Sequence, residues 1–176
     1  LTVTSATINA GANWANTGTF SCGTGTVNFT GVSTTISGDN TFYMANFSGT
    51  GASLTGSNTF TTANFTANTT LAAENTFDNF NCTTPGVILS FAGGLTQTIA
   101  TDGSFTITGT SSSPIILKST ASGSQWTITS PATSSSTSTV SYASISDSAS
   151  TNTYISAINS TDSGNNTRWN FVGNSY

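Results

Sequence analysis

Apolar and polar positions alternate most regularly over residues 38–82, where three lines of sequence lie under one another. The first holds Asn40-Thr41-Phe42 and reaches Phe47, the second Asn58-Thr59-Phe60 and Phe65, the third Asn75-Thr76-Phe77 and Phe80. The Asn-Thr-Phe triplet thus returns twice at nearly the same interval. Self-similarity with a period of about 20 residues marks a solenoid, in which each repeat is one coil that cannot bury its apolar face alone. The spacing predicts two inward columns, Phe42/Phe60/Phe77 and Phe47/Phe65/Phe80. A small-residue column of Gly49, Ala67 and Cys82 is expected beside them.

A longer correspondence overlays the short one. Phe20, Cys22 and Val27 match Phe80, Cys82 and Val87 at one constant offset. Phe29, Ile36 and Phe42 match Phe91, Ile99 and Phe105 at nearly the same offset. This predicts a duplicated unit, roughly 14–73 and 74–110, followed by closing coils over 111–176. Later strands are expected at Phe105-Thr106-Ile107-Thr108, Ile115-Ile116-Leu117, Trp126-Thr127-Ile128, Val140-Ser141-Tyr142, Ile145 and Tyr154-Ile155. The Ser/Thr tract from Pro131 to Thr139 reads as a looser loop, but strand spacing resumes after it, so 1–176 is taken as one domain.

Composition sharpens the class. Only 5% of the 176 residues are charged, against roughly a quarter in ordinary soluble domains. The 38 Thr favour strands and the Gly, Asn and Ser favour turns, while no stretch carries the apolar period of a helix. The expectation is an all-β, single-domain parallel β-helix of about eight or nine coils, with a β-sandwich or jelly roll as the alternative. Antiparallel pairing would mark that alternative.

The net charge of −4, with Lys118 and Arg168 as the only basic residues, excludes a phosphate-binding surface and hence nucleic acid. No apolar run is long enough for a membrane span. The chain begins at Leu1 without a signal peptide, as expected of a processed or excised piece. Hydroxyls and amides in place of surface charge suggest an extracellular setting. Cys22 and Cys82 lie about three coils apart, or roughly 14 Å at strand spacing, too far for the ~7 Å that a disulfide allows. They read as small buried hydrophobes.

The segments Val140-Ser141-Tyr142-Ala143-Ser144-Ile145-Ser146-Asp147-Ser148 and Asp162-Ser163-Gly164-Asn165-Asn166-Thr167-Arg168-Trp169-Asn170-Phe171 resemble the closing coils of right-handed parallel β-helix repeats. Those repeats occur in large secreted bacterial surface proteins. The Asn-Thr-Phe lines and Leu95-Thr96-Gln97-Thr98-Ile99 resemble the preceding coils. The resemblance implies an extracellular, adhesin-like or structural role. It carries over no catalytic residue.

Candidate chemistry is sparse. With no His, imidazole acid–base chemistry, His-based triads and His-ligated zinc are excluded. Asp39, Glu74, Asp78, Asp102, Asp147 and Asp162 are spread too thinly for paired-carboxylate hydrolysis or a calcium loop. Lys118 reads as a solvated lysine rather than an isopeptide partner. No catalytic residue, cofactor site or metal site is therefore expected. Seven N-x-Ser/Thr sequons, at Asn28, Asn46, Asn64, Asn68, Asn81, Asn159 and Asn165, are candidate glycosylation positions, although 18 Asn among so many Ser and Thr give about that number by chance. Trp14, Trp126 and Trp169 are weighed as sugar-stacking platforms and, more simply, as core residues.

These readings favour a non-enzymatic surface stalk, adhesin segment or filament subunit that assembles head to tail with itself. The alternatives are a carbohydrate-binding β-helix module that takes surface glycans, then an ice-binding solenoid and a polysaccharide hydrolase. An ice-binding face needs two parallel Thr columns, and the column after Phe reads Tyr43, Thr61, Asp78.

Overall fold

The computed structural model describes residues 4–129 and 137–173. In chain order the strands are β1 (Thr7–Ala10), β2 (Trp14–Ala15), β3 (Phe20–Ser21), β4 (Thr26–Phe29), β5 (Thr35–Ser37), β6 (Asn40–Phe47) and β7 (Ala52–Leu54). Then come β8 (Thr59–Phe65), β9 (Thr69–Leu71), β10 (Asn75–Cys82), β11 (Ile88–Phe91), β12 (Thr96–Thr108), β13 (Ile115–Ser119) and β14 (Trp126–Thr129). The last are β15 (Thr137–Ser141), β16 (Ala143–Ile145), β17 (Ser148–Ser150), β18 (Ile155–Ile158), β19 (Thr161–Asp162) and β20 (Trp169–Val172). The described residues contain no helix.

Twelve strands join a large sheet and eight a small one. From β4 to β13 the chain passes from one sheet to the other at every strand. All strand pairings among the described residues are parallel. One isolated antiparallel bridge joins Thr110 and Ser113 within a turn. The antiparallel ladders of a β-sandwich or jelly roll are thus not what holds these strands, and that alternative fails. The architecture is all-β, built of stacked parallel strands, and compatible with a parallel β-helix.

The period-2 alternation of each strand sends alternate side chains into one core that runs from Phe20 to Trp169. In the large sheet Phe42 pairs with Phe60 and Phe60 with Phe77. Their rings stack at 5.2 Å and 5.0 Å, close to the spacing of the strands that carry them. A second stack runs Phe29, Phe47, Phe65, with centroids 5.0 Å and 4.9 Å apart. It begins one strand earlier than the sequence reading placed it.

Phe80 departs from the expected column. β10 keeps a constant offset from β8 along the whole pairing, so Phe80 stands opposite Ala63, not Phe65. Aligning Phe80 with Phe65 would need a slip inside one strand. The Phe80 ring instead uses the room left by the Ala63 methyl and lies 4.6 Å from the Phe65 ring on the diagonal. Cys82 pairs with Ile107 and continues the apolar column rather than a small-residue one.

Two further sequence patterns divide differently in space. The positions matched by the longer correspondence do not all share a sheet. Phe29 is in β4 of the large sheet and Phe91 in β11 of the small one, while Ile36 and Ile99 are exchanged the other way. Of the Ser/Thr tract, 131–136 lie outside the described residues, and Thr137–Ser141 is strand β15. Between Phe77 and Asn79 the register of β12 shifts, with Ile99 and Ser104 as the partners. Gly103 sits in this bulge because a Cβ there would collide with the Asp78 carbonyl.

Truncating Phe60, which is fully buried between two stacked rings, should cost about 3–5 kcal/mol of stability. Urea denaturation of Phe60→Ala measures this. A near-neutral change would mean that the ring faces solvent.

Candidate functional site

The first residue of each Asn-Thr-Phe triplet carries a role that the sequence reading missed. Asn40, Asn58 and Asn75 are buried at the edge of the Phe column. Asn40 Nδ2 donates to Asn58 Oδ1 at 2.8 Å, Asn58 Nδ2 to Asn75 Oδ1 at 3.1 Å, and Asn75 Nδ2 to Gln97 Oε1 at 3.1 Å. The Asn58 and Asn75 oxygens also take a backbone proton each, from Asn40 N at 3.2 Å and from Asn58 N at 3.0 Å. Trp14 Nε1 and Asn16 Nδ2 donate to Asn40 at one end. At the other, Gln97 pairs with the apolar Ile128, and its Nε2 turns back to the Ala73 carbonyl. The amides are buried because each is satisfied by its copy on the next strand.

A second amide ladder runs up the outer face of the large sheet. Asn28 donates to Asn9, Asn46 to Asn28 and Asn64 to Asn46, each at 2.8 Å, and Asn81 to Asn64 at 3.1 Å. Four of the seven sequon asparagines, Asn28, Asn46, Asn64 and Asn81, therefore commit an amide nitrogen to a ladder bond. Asn165 donates to Asp147 Oδ1 at 2.7 Å. Asn68 accepts from Ile88 N at 2.8 Å, and Asn159 is exposed at φ 48°.

Four of the six carboxylates bind backbone amides, three of them on distant stretches of chain. Asp39 accepts from Ser57 N, Glu74 from Thr96 N, Asp147 from Gly123 N and Asp162 from Gly164 N. Among the described residues no three His, Cys, Asp or Glu side chains gather as metal ligands. Lys118 is exposed on the small sheet beside Ser90. Trp126 is fully buried and stacks on Phe91 at 3.9 Å, and Trp169 is 9% exposed with its Nε1 bonded to Ser148, so neither offers a face to a sugar. Trp14 is half-buried and its Nε1 is taken by Asn40.

No family model, curated protein or solved structure matches the chain.

Two clefts indent the surface. One, of about 320 Å³, lies beside Trp14, Asn16 and Phe20, against β2 at the edge of the small sheet. The Trp14 and Asn16 donors in it are already spent on Asn40. The other, of about 270 Å³, is lined by Thr110, Ser111, Tyr142, Asn159, Thr161 and Gly173, where three successive large-sheet strands end. It is the better candidate, because the side chains of Tyr142, Asn159 and Thr161 make no hydrogen bond to the described residues.

Cys22 and Cys82 are both buried and free. Three ladder steps separate them, β3 to β6 to β8 to β10, roughly 14 Å. Burial pushes the Cys82 thiol up from 9.0 to about 12, with a backbone contact at Thr84 opposing it.

The two amide ladders should respond differently to truncation. Asn58→Ala should cost about 2–4 kcal/mol, because the Asn40 amide proton is left buried without an acceptor. Asn64→Ala, on the half-buried outer ladder, should cost under about 1 kcal/mol, since water replaces the lost partner. Equal losses in urea melts would remove the distinction. For Cys82 the unfolded thiol ionises near 9.0 and the folded one near 12. Its contribution is therefore intact below pH 9 and lost between pH 9 and 12. Over that window the wild type should lose more stability than Cys82→Ala, and parallel pH–stability curves would contradict this.

Proposed function

We propose that the chain is a parallel β-helix module with a non-catalytic, structural role outside the cell, joined end to end to copies of itself. What carries this reading is the open ladder at each end of the described stack. β1 and β2 are the last strands of the two sheets on one side, β20 and β19 on the other. Among the described residues each of these strands pairs on one edge only, and a further parallel strand can bond to the other. The core reaches both ends, with Ile8, Ala10 and Trp14 half-buried at one and Phe171 at the other. A head-to-tail contact of this kind does not need to close and so gives a filament.

The side-chain inventory supports a structural rather than a catalytic role. Four of the six carboxylates bond backbone amides, and many of the asparagines form ladders. An outer face of Thr, Asn and Ser with little charge suits an extracellular surface, in line with the adhesin-like resemblance.

The test is light scattering with electron microscopy over rising protein concentration. The expected outcome is a mass that grows with concentration and fibres one molecule wide. A constant monomer mass with no fibres would remove the self-assembly reading. An Ile8→Lys variant, which puts a charge on the open end, should shift assembly to higher concentration.

A further inference from the structure

The corner that lines the 270 Å³ cleft is repeated on consecutive strands. Ser141 pairs with Ile158 and Ile158 with Val172, so the residues that follow, Tyr142, Asn159 and Gly173, occupy one column. All three have positive φ, at 49°, 48° and 85°. Ladder bonds hold this column in place. Tyr142 N donates to the Ile158 carbonyl at 3.0 Å and Asn159 N to the Val172 carbonyl at 2.7 Å. From Tyr142 to Gly173 the corner therefore demands a left-handed residue, while one level earlier Gly109, which follows Thr108, has no positive φ. Glycine meets that demand without strain and asparagine at little cost. Tyrosine meets it poorly, because a bulky side chain at positive φ crowds its own backbone.

The strained residue is the one aromatic residue of the cleft lining. Asparagine or glycine in its place would relax the corner and leave the ladder intact, so the backbone of the corner does not call for tyrosine there. Strain retained at one position of a repeated turn points to a use for the side chain. The same lining includes Asn159 and Thr161, whose side chains, like that of Tyr142, make no hydrogen bond to described residues, with Thr110 and Ser111 beside them.

We propose that this cleft is a binding subsite for a neutral sugar ring. The lining holds no charged residue, which disfavours anions and cations and suits an uncharged polyhydroxyl ligand. An aromatic ring offers an apolar surface to the C–H face of a pyranose. The amide and hydroxyls, which both donate and accept, match its hydroxyl groups. A volume near the low end of ligand clefts fits one sugar unit, such as a terminal residue of a glycan. The cleft borders the end of the stack proposed for assembly, because Thr161 belongs to β19 and Gly173 follows β20, so the titration below is run at a concentration where light scattering shows monomer.

The experiment is a ¹H–¹⁵N NMR titration of the 176-residue chain with D-glucose, D-galactose, D-mannose and N-acetylglucosamine, with glucuronate and glycerol as controls. The expected result is saturable shifts at Tyr142, Asn159 and Thr161 for at least one neutral sugar, and none of that size with either control. Tyr142→Asn should weaken that binding by about tenfold or more while its melting temperature stays level or rises, since the corner is relieved. Should that variant misfold, Asn159→Gly, which copies the next level of the column, replaces it with the same expected loss. The proposal is overturned if no sugar gives saturable shifts at these residues. Equal shifts with glycerol, or unchanged affinity in the variant that folds, would overturn it too.

Discussion

Parallel, in-register pairing is the constraint on which everything else in this molecule depends. Strands about 4.8 Å apart place each residue directly against its counterpart one strand away. Side chains are therefore selected for how well they pack on themselves. Phe succeeds because rings with the same rotamer stack at that spacing, as at 5.2 Å and 5.0 Å through Phe42, Phe60 and Phe77. Asn succeeds because a primary amide both donates and accepts along the stacking direction. That lets Asn40, Asn58 and Asn75 sit inside the protein with their polar groups satisfied.

The same constraint accounts for the near absence of charge. Identical charges on neighbouring strands would lie ~4.8 Å apart and repel by roughly 1 kcal/mol in water, and several-fold more where the dielectric is lower. Several of the few acids present escape this by standing at corners, where Asp39, Glu74 and Asp147 accept backbone protons from neighbouring coils. Lys118 stands beside a serine. Departures from repetition are local. The bulge at Gly103 absorbs extra residues in β12, and beyond it apolar columns continue with Ile107, Val140 and Ala157 in place of Phe. A polar ladder, in contrast, ends as soon as its next position cannot accept a hydrogen bond, as at Gln97 before Ile128.

The corners are where structure and function separate. Most left-handed positions carry Gly, Asn or Asp, which keeps the turns inexpensive and exchangeable. Among the described residues Tyr142 is the one aromatic at such a position, and it stands beside a cleft whose polar groups are unspent. A stack this regular gives an exception meaning, because the levels beside it show what an ordinary corner contains.

The sequence by itself determined the class of structure and the inward Phe42, Phe60 and Phe77, since a near-constant return of Asn-Thr-Phe has one simple physical reading when like residues must stack. It also determined that imidazole chemistry is absent, because the chain has no His. It misplaced Phe80, because a ring on the diagonal and a ring in the column look alike when only spacing is visible. It gave the triplet's asparagine no role, since a hydrogen bond from one repeat to the next leaves no local mark. The tertiary structure alone decided which sheet each strand joins, which sequon amides are bound in a ladder and which tryptophans are buried. It alone brought Thr110, Tyr142, Asn159 and Thr161 to one cleft. They come from distant parts of the chain, and only its return to the same corner makes them neighbours.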